Sequence, residues 1–209
     1  MSLIPIAHEV TLAGTNPVLV AVVAVIALIA VGMALKFRSE VLKAPEGTPN
    51  MQSIARGVQE GAQAYLQRQF KTLAVFAAVA FLLLLALPAH GAGEHSTAYQ
   101  WMLRIVRSVA FLVGAVFSGV IGQLGMSLAT RANVRVAAAA KDEGRNPAMK
   151  IAFRTGATVG MATVGLGLFG VAVVVLIFQG DAPTILEGFA FGAAMLAMFM
   201  RVGGGIFTK

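Results

Sequence analysis

The sequence contains no cysteine and few charges. Without cysteine, neither a disulfide framework nor a cysteine-based metal site can form. Charged residues make up 12% of the 209 residues, about half the fraction typical of a soluble domain. Hydrophobic residues make up 58%, and the mean hydropathy is +0.82. The low charge and high hydropathy predict a polytopic membrane protein.

Acidic residues are especially scarce, since the chain has nine and they are scattered along it. No acidic cluster able to hold magnesium is evident. The three histidines, His8, His90 and His95, fit no zinc-binding spacing. No Ser/His/Asp or Cys/His arrangement for nucleophilic catalysis is evident either. The residues alone therefore assign neither a metal site nor a catalytic residue within these 209 positions.

Apolar runs long enough to cross a bilayer occur five times. A span needs about 20 mostly apolar residues. We therefore predict an all-α, polytopic transmembrane helix bundle that forms a single membrane domain over residues 1–209. The predicted spans are 17–35, 72–88, 108–130, 155–178 and 184–207.

Lysine and arginine are absent from three segments, namely 1–16, 88–103 and 179–186. They are concentrated in two others, 36–71 and 131–154, which lie between the first and second and the third and fourth spans. Because short basic loops stay on the cytoplasmic side, these two segments are predicted to be cytoplasmic. Five spans then place the N-terminus outside.

Four basic residues near span ends bear on this topology. Lys36 and Arg38 follow the first apolar run, whereas a signal peptide carries its charges before it, so 17–35 is interpreted as an anchor. Arg104 and Arg107 lie at the outer start of the third span, where we expect them to snorkel toward water. The net charge of +7 comes mostly from the lysines and arginines of the two segments predicted to be cytoplasmic. Nucleic-acid binding is not supported, because the basic loops contain few aromatic residues.

Two patterns concern packing. Apolar residues recur every three or four positions from Ile54 to Phe70, which predicts either one long helix continuing into the second span or an amphipathic helix on the membrane surface. Small residues at four-residue spacing predict close helix packing in the later spans; they are Gly114, Ser118 and Gly122, Gly156 and Gly160, and Gly188 and Gly192. Gly165-x-Gly167-x-x-Gly170 is interpreted as glycine packing, since a dinucleotide motif needs a strand and turn before a helix.

The last ten residues, MRVGGGIFTK (200–209), place charge at the inner end of the fifth span. On a continuous helix Arg201 lies about 12 Å deeper than Lys209, and an arginine near hydrocarbon usually lines a pathway or pairs with an acid. No acid in the chain is an obvious partner. The glycines and Lys209 suit an anion nest, although a flexible helix end anchored by Lys209 explains the same residues.

Four stretches in order resemble the N-terminal part of the membrane-integral, ion-translocating (proton-pumping) inorganic pyrophosphatases. They are IARGVQEGAQAYLQRQFKT (54–72), FLVGAVFSGVIGQLGMSLATRANVRVAAAA (111–140), AFRTGATVGM (152–161) and GFAFGAAMLAMFMRVGGGIFTK (188–209). The resemblance implies a homodimer in which each subunit is a bundle of about 16 transmembrane helices. It also implies that Lys209 binds pyrophosphate and that Arg201 belongs to an ion-transfer gate.

The same resemblance implies a hydrolase in a prokaryotic plasma or inner membrane that couples cytoplasmic pyrophosphate hydrolysis to translocation of protons, or of sodium. Magnesium is the implied cofactor, and a potassium requirement stays open. The acidic stretch that follows this lysine in the family is absent, so we expect a partial product that is inactive alone. The alternative is a non-enzymatic, small-residue-rich membrane scaffold or half of a secondary transporter, which does not explain the ordered match.

Overall fold

The computed structural model describes residues 16–88 and 96–208, with the backbone alone described at 203, 204 and 206–208. Its helices are α1 (Asn16–Lys43), α2 (Pro49–Ala86), α3 (Thr97–Asp142), α4 (Arg145–Phe178) and α5 (Ala182–Thr208). A 3-10 turn, Gln179–Asp181, joins the last two. Neither described range contains a strand, so the predicted all-α class is confirmed.

α2 and α3 are much longer than a bilayer requires. They contain 38 and 46 residues, about 57 and 69 Å at 1.5 Å per residue, against a hydrocarbon core of about 30 Å. α2 has no break, so the long-helix interpretation is confirmed over the separate surface helix. α3 likewise continues through the basic segment to Asp142. Gly144, between α3 and α4, has a φ of 96°, which favours glycine.

By length and hydropathy, the described residues contain four apolar helical stretches able to span a membrane. The protein is therefore an integral, multi-pass membrane protein. The fourth stretch runs over Arg145–Val202, because the 3-10 turn links α4 to α5 without a long interruption. The chain nevertheless reverses direction at that turn, since Ile185 and Phe189 of α5 cluster with Val174 of α4.

α3 is the central helix, with α2, α4 and α5 packed around it, while α1 packs mainly on α4. α3 and α5 run parallel, because the contact positions Arg107 to Gly188 and Gly122 to Met200 advance together along both helices. α1 and α4 run antiparallel. Glu40 near the end of α1 forms an ion pair with Arg154 near the start of α4, at 3.1 Å.

Glycine packing is confirmed between α3 and α5. A Cβ added at Gly114, Gly188 or Gly192 would collide with a backbone carbonyl of the facing helix. Only glycine therefore lets these two backbones approach so closely. The contact fixes both the rotation and the register of α5 on α3.

On α4 the prediction is partly wrong. A Cβ added at Gly156 or Gly160 would meet no described atom within 4 Å. Gly165 and Gly170 pack closely instead, the first against the α1 backbone at Ala27 and the second against the ring of Phe189. Four-residue spacing places glycines on one face of a helix, but it does not reveal which face meets a neighbouring helix. The Gly165–Gly170 motif is thus a packing feature, as interpreted.

The first two helices expose much of their apolar surface. Large exposed side chains on α1 and α2 include Val18, Leu19, Ile26, Ile29, Val75, Val79, Leu82 and Leu83. α3 is far more buried than either. This difference is the one expected if α1 and α2 face lipid while α3 is enclosed by other helices.

Arg107 does not snorkel, so that prediction is wrong. Its side chain is only 4% exposed, and its two Nη atoms donate to the carbonyls of Leu84 and Leu87 at 2.8 Å and of Pro88 at 3.2 Å. The last carbonyls of a helix lack intrahelical donors. The guanidinium satisfies those at the end of α2, and this makes its burial tolerable.

Candidate functional site

The inner end of α5 carries the cation singled out from the sequence. Leu196 and Met200, both buried, lie over Gly119 and Gly122 of α3. These contacts show that the side of α5 carrying Leu196 and Met200 faces the core. Arg201 follows Met200 and lies about 100° further around the helix axis. Its side chain therefore points away from this contact and is exposed.

The exposed face of α5 carries alanines and two large apolar residues, Phe191 and Met198, between two charges. Glu187, Ala190, Ala194, Ala197 and Arg201 recur at three- and four-residue spacing, and all are exposed. The two charged residues lie about 21 Å apart along the axis, too far for an ion pair. Within the described ranges, Arg201 has no acidic partner at ion-pair distance. The face is an exposed, mainly apolar surface with a cation near the C-terminal end of the helix.

A glutamine of α2 fixes the backbone next to Arg201. Gln69 Nε2 donates to the carbonyl of Phe199 at 2.8 Å, and the rings of Phe76 and Phe199 stack with their centroids 5.9 Å apart. Gln69 Oε1 is buried and accepts no hydrogen bond from the described residues. Sequence reasoning missed this contact, because Gln69 and Phe199 are 130 positions apart and share no motif.

Lys209 lies outside the described residues, so its predicted role stays a prediction. The backbone before it is helical to Thr208, as the estimated depth offset between Arg201 and Lys209 assumed. The glycines at 203–205 belong to this helix. Their N–H groups therefore point along the α5 axis and do not form the separate anion nest considered from the sequence.

The described residues do not bring together three histidine, aspartate or glutamate side chains in any place where a metal could bind. Several acids have local roles instead. Glu40 and Glu46 pair with arginines at 3.1 and 2.7 Å, and Asp181 accepts a hydrogen bond from the Tyr99 hydroxyl at 2.6 Å.

Arg135 is a second buried arginine that sequence reasoning missed. It is 7% exposed and donates to the carbonyls of Leu42 and Ala44 and to Glu46 Oε1, at 3.3, 3.1 and 2.7 Å. It thereby fastens the end of α1 and the following loop to α3.

These features define a class: a multi-pass α-helical membrane protein with helices much longer than a bilayer requires and a cation on an exposed helix face. The family described as "Inorganic H+ pyrophosphatase" matches residues 28–209, and the chain belongs to that family.

Three similar proteins are each called "K(+)-insensitive pyrophosphate-energized proton pump". The one from Streptomyces coelicolor is 51% identical over 100% of this chain and 27% of its own length. That of Streptomyces avermitilis is 54% identical over 93% and 25%, and that of Chloroflexus aurantiacus is 42% identical over 90% and 25%. The chain thus spans about a quarter of the length of these relatives.

Proposed function

We propose that this chain forms the opening helices of a pyrophosphate-energised proton pump, which couples cytoplasmic pyrophosphate hydrolysis to proton movement across the membrane. The family match over residues 28–209 carries this proposal, and the names of the three relatives support it. A scaffold or half of a secondary transporter explains the apolar helices equally well, but it does not explain a match along nearly the whole chain.

The chain crosses the membrane five times in this proposal, with its N-terminus outside and its basic segments in the cytoplasm. The reversal at Gln179–Asp181 supports separate crossings by α4 and α5. The parallel packing of α3 and α5 supports the same count, because helices two crossings apart have the same direction. The whole protein would then be a homodimer, each subunit having about 16 transmembrane helices, in a prokaryotic plasma membrane.

Arg201 serves as a residue of the ion-transfer gate. Its exposed position on α5 supports this role, because the side chain is accessible to helices from the rest of the longer protein. A guanidinium remains charged under all physiological conditions. It can therefore hold a carboxylate from a neighbouring helix in its ionised form and set the electrostatic barrier to a passing proton.

Lys209 binds pyrophosphate in this proposal. Its ammonium would offset part of the charge on a diphosphate and donate hydrogen bonds to its oxygens. Magnesium, which the family generally uses, would neutralise the remaining charge. Its ligands would lie elsewhere in the longer protein, because the described residues of this chain form no such cluster. The 209 residues alone are therefore expected to be inactive.

Protons, rather than sodium, are the proposed ion, and we expect no potassium requirement. The names of the three relatives above state proton pumping and potassium insensitivity. A putative potassium-stimulated sodium pump of Bacteroides thetaiotaomicron is 36% identical over 90% of this chain. The higher identity of the proton pumps favours the first assignment.

The gate and substrate roles are tested by Arg201→Ala and Lys209→Ala in the full-length protein in inverted membrane vesicles. Arg201→Ala is expected to lower both pyrophosphate-driven proton uptake and phosphate release, with a loss of uptake about ten times larger than the loss of phosphate release. Lys209→Ala is expected to raise KM for pyrophosphate by about tenfold or more, since a charge-assisted contact is lost.

Arg145→Ala is the matched control, because Arg145 is an exposed cation at the inner end of α4, away from the proposed site. It should pump as the parent protein does. Normal pumping by the Arg201 and Lys209 variants would contradict the two roles, and loss of protein from the membrane would be detected by quantifying each variant.

A further inference from the structure

Two cavities lie end to end between α2 and α3. The deeper one is apolar, has a volume of about 520 Å³, and is lined by small and apolar side chains that include Ala74, Ala78, Val116 and Val120. The second, of about 420 Å³, is polar and includes Arg56 and Arg131. Phe70 and Gln123 line both. We call this continuous feature the α2–α3 cleft.

The junction of the two cavities lies at the predicted inner end of the second span on α2, and about two turns inside the predicted end of the third span on α3. The apolar part is lined by residues 70–81 of α2 and 112–123 of α3, nearly all within the predicted spans. The polar part is lined on α2 by residues 56–70, which precede the predicted second span, and on α3 by residues 123–131, the last two turns of the predicted third span and the residue after it. Eleven residues of helix correspond to about 16 Å, roughly one leaflet of a 30 Å hydrocarbon core.

The polar part is suited to an anion. Its charged residues are Arg56, Arg131 and Glu60, which give a formal charge of +1. Neither arginine forms an ion pair within the described ranges. Side-chain amides of Gln59, Gln63, Gln67 and Gln123 and the hydroxyl of Ser127 supply further donors around them. Arginine recognises phosphate oxygens strongly, with two parallel hydrogen bonds.

We propose that the α2–α3 cleft binds one anionic phospholipid of the inner leaflet. Its phosphate contacts Arg56 and Arg131, and one acyl chain occupies the apolar part beside Ala74 and Val116. A phospholipid carries an anionic headgroup and an apolar acyl chain in one molecule. The headgroup would meet the polar part of the cleft and the acyl chain the adjoining apolar part. A further protein helix could replace the lipid only if it placed an acidic residue beside the two arginines at the polar end of the cleft. Basic pockets between helices on the cytoplasmic side are known lipid headgroup sites.

The test measures lipids retained by the full-length protein after detergent extraction, using native mass spectrometry with added phosphatidylglycerol or phosphatidylcholine. The parent protein is expected to retain about one phosphatidylglycerol per subunit in preference to phosphatidylcholine. Arg56→Gln with Arg131→Gln should reduce that retention by about fivefold or more. Lys71→Gln with Arg145→Gln removes two exposed inner cations outside the cleft and should leave it unchanged.

A second pair of variants tests the apolar part. Ala74→Trp would fill the cleft, whereas Val75→Trp, on the adjacent and exposed position, would not. Only the first should reduce retention. Added inorganic phosphate should not displace the lipid, because the acyl chain supplies part of the binding. Equal retention of both lipids, equal loss in the two double variants, or displacement by phosphate alone would each overturn the proposal.

Discussion

Two arginines on α3 bind the exposed carbonyls of other helices at opposite ends of the bundle. Arg107 donates to the end of α2, and Arg135 donates to the end of α1 and to Glu46. They are 28 residues apart, about 42 Å along the helix. Each therefore fixes one end of a neighbouring helix to α3.

Arg107→Met should destabilise the protein, because the methionine keeps much of the length of the arginine but leaves three carbonyls without donors. The expected loss is about 2 kcal/mol, measured as a lower midpoint of thermal unfolding in detergent. Arg104→Met is the control, since Arg104 lies 5.2 Å over the Trp101 ring and caps no helix, and its loss should cost less than about 1 kcal/mol. Equal effects would contradict the capping role.

Residue roles were the least predictable part of the structure. The sequence showed that Arg107 was an unusual cation in an outer position, but the carbonyls that bind it lie 19 to 23 positions away. Arg135 gave no signal at all, because it lies among other basic residues. Both depend on which helix ends meet α3, and that is a property of the assembled bundle.

At the scale of helices, much more followed from the sequence. The apolar runs are dictated by local chemistry and were predicted, and the continuous α2 was one of the two predicted alternatives. Which glycines pack was predictable on α3 and α5 but not on α4. There Gly165 and Gly170 face neighbours while Gly156 and Gly160 do not, because contact depends on rotation about the helix axis.

The proposed five crossings are testable by labelling single cysteines, since these 209 residues contain none. Ser96→Cys and Gly180→Cys should react with a membrane-impermeant maleimide on intact cells, whereas Ser53→Cys and Asn146→Cys should react only after permeabilisation. All four positions are exposed. The full-length protein without the introduced cysteine is the background control. Protection of Gly180→Cys in intact cells would contradict separate crossings by α4 and α5.

For the whole molecule, the open face of α5 is the feature that most clearly calls for further helices. Between Glu187 and Arg201 it exposes the alanines at 190, 194 and 197 together with Phe191 and Met198, and the chain spans only about a quarter of its relatives' length. Small residues on an exposed transmembrane face suit close packing. The proposed gate would thus be completed by other segments of the longer protein.

Proton uptake tests the central claim most directly. Pyrophosphate is added, with magnesium but without sodium or potassium, to inverted vesicles that contain the full-length protein, and the internal pH is followed with an acridine dye. The account predicts acidification that a protonophore abolishes, and neither acidification nor phosphate release from the 209 residues alone. Phosphate release by the full-length protein without acidification, or acidification only when sodium or potassium is supplied, would contradict it.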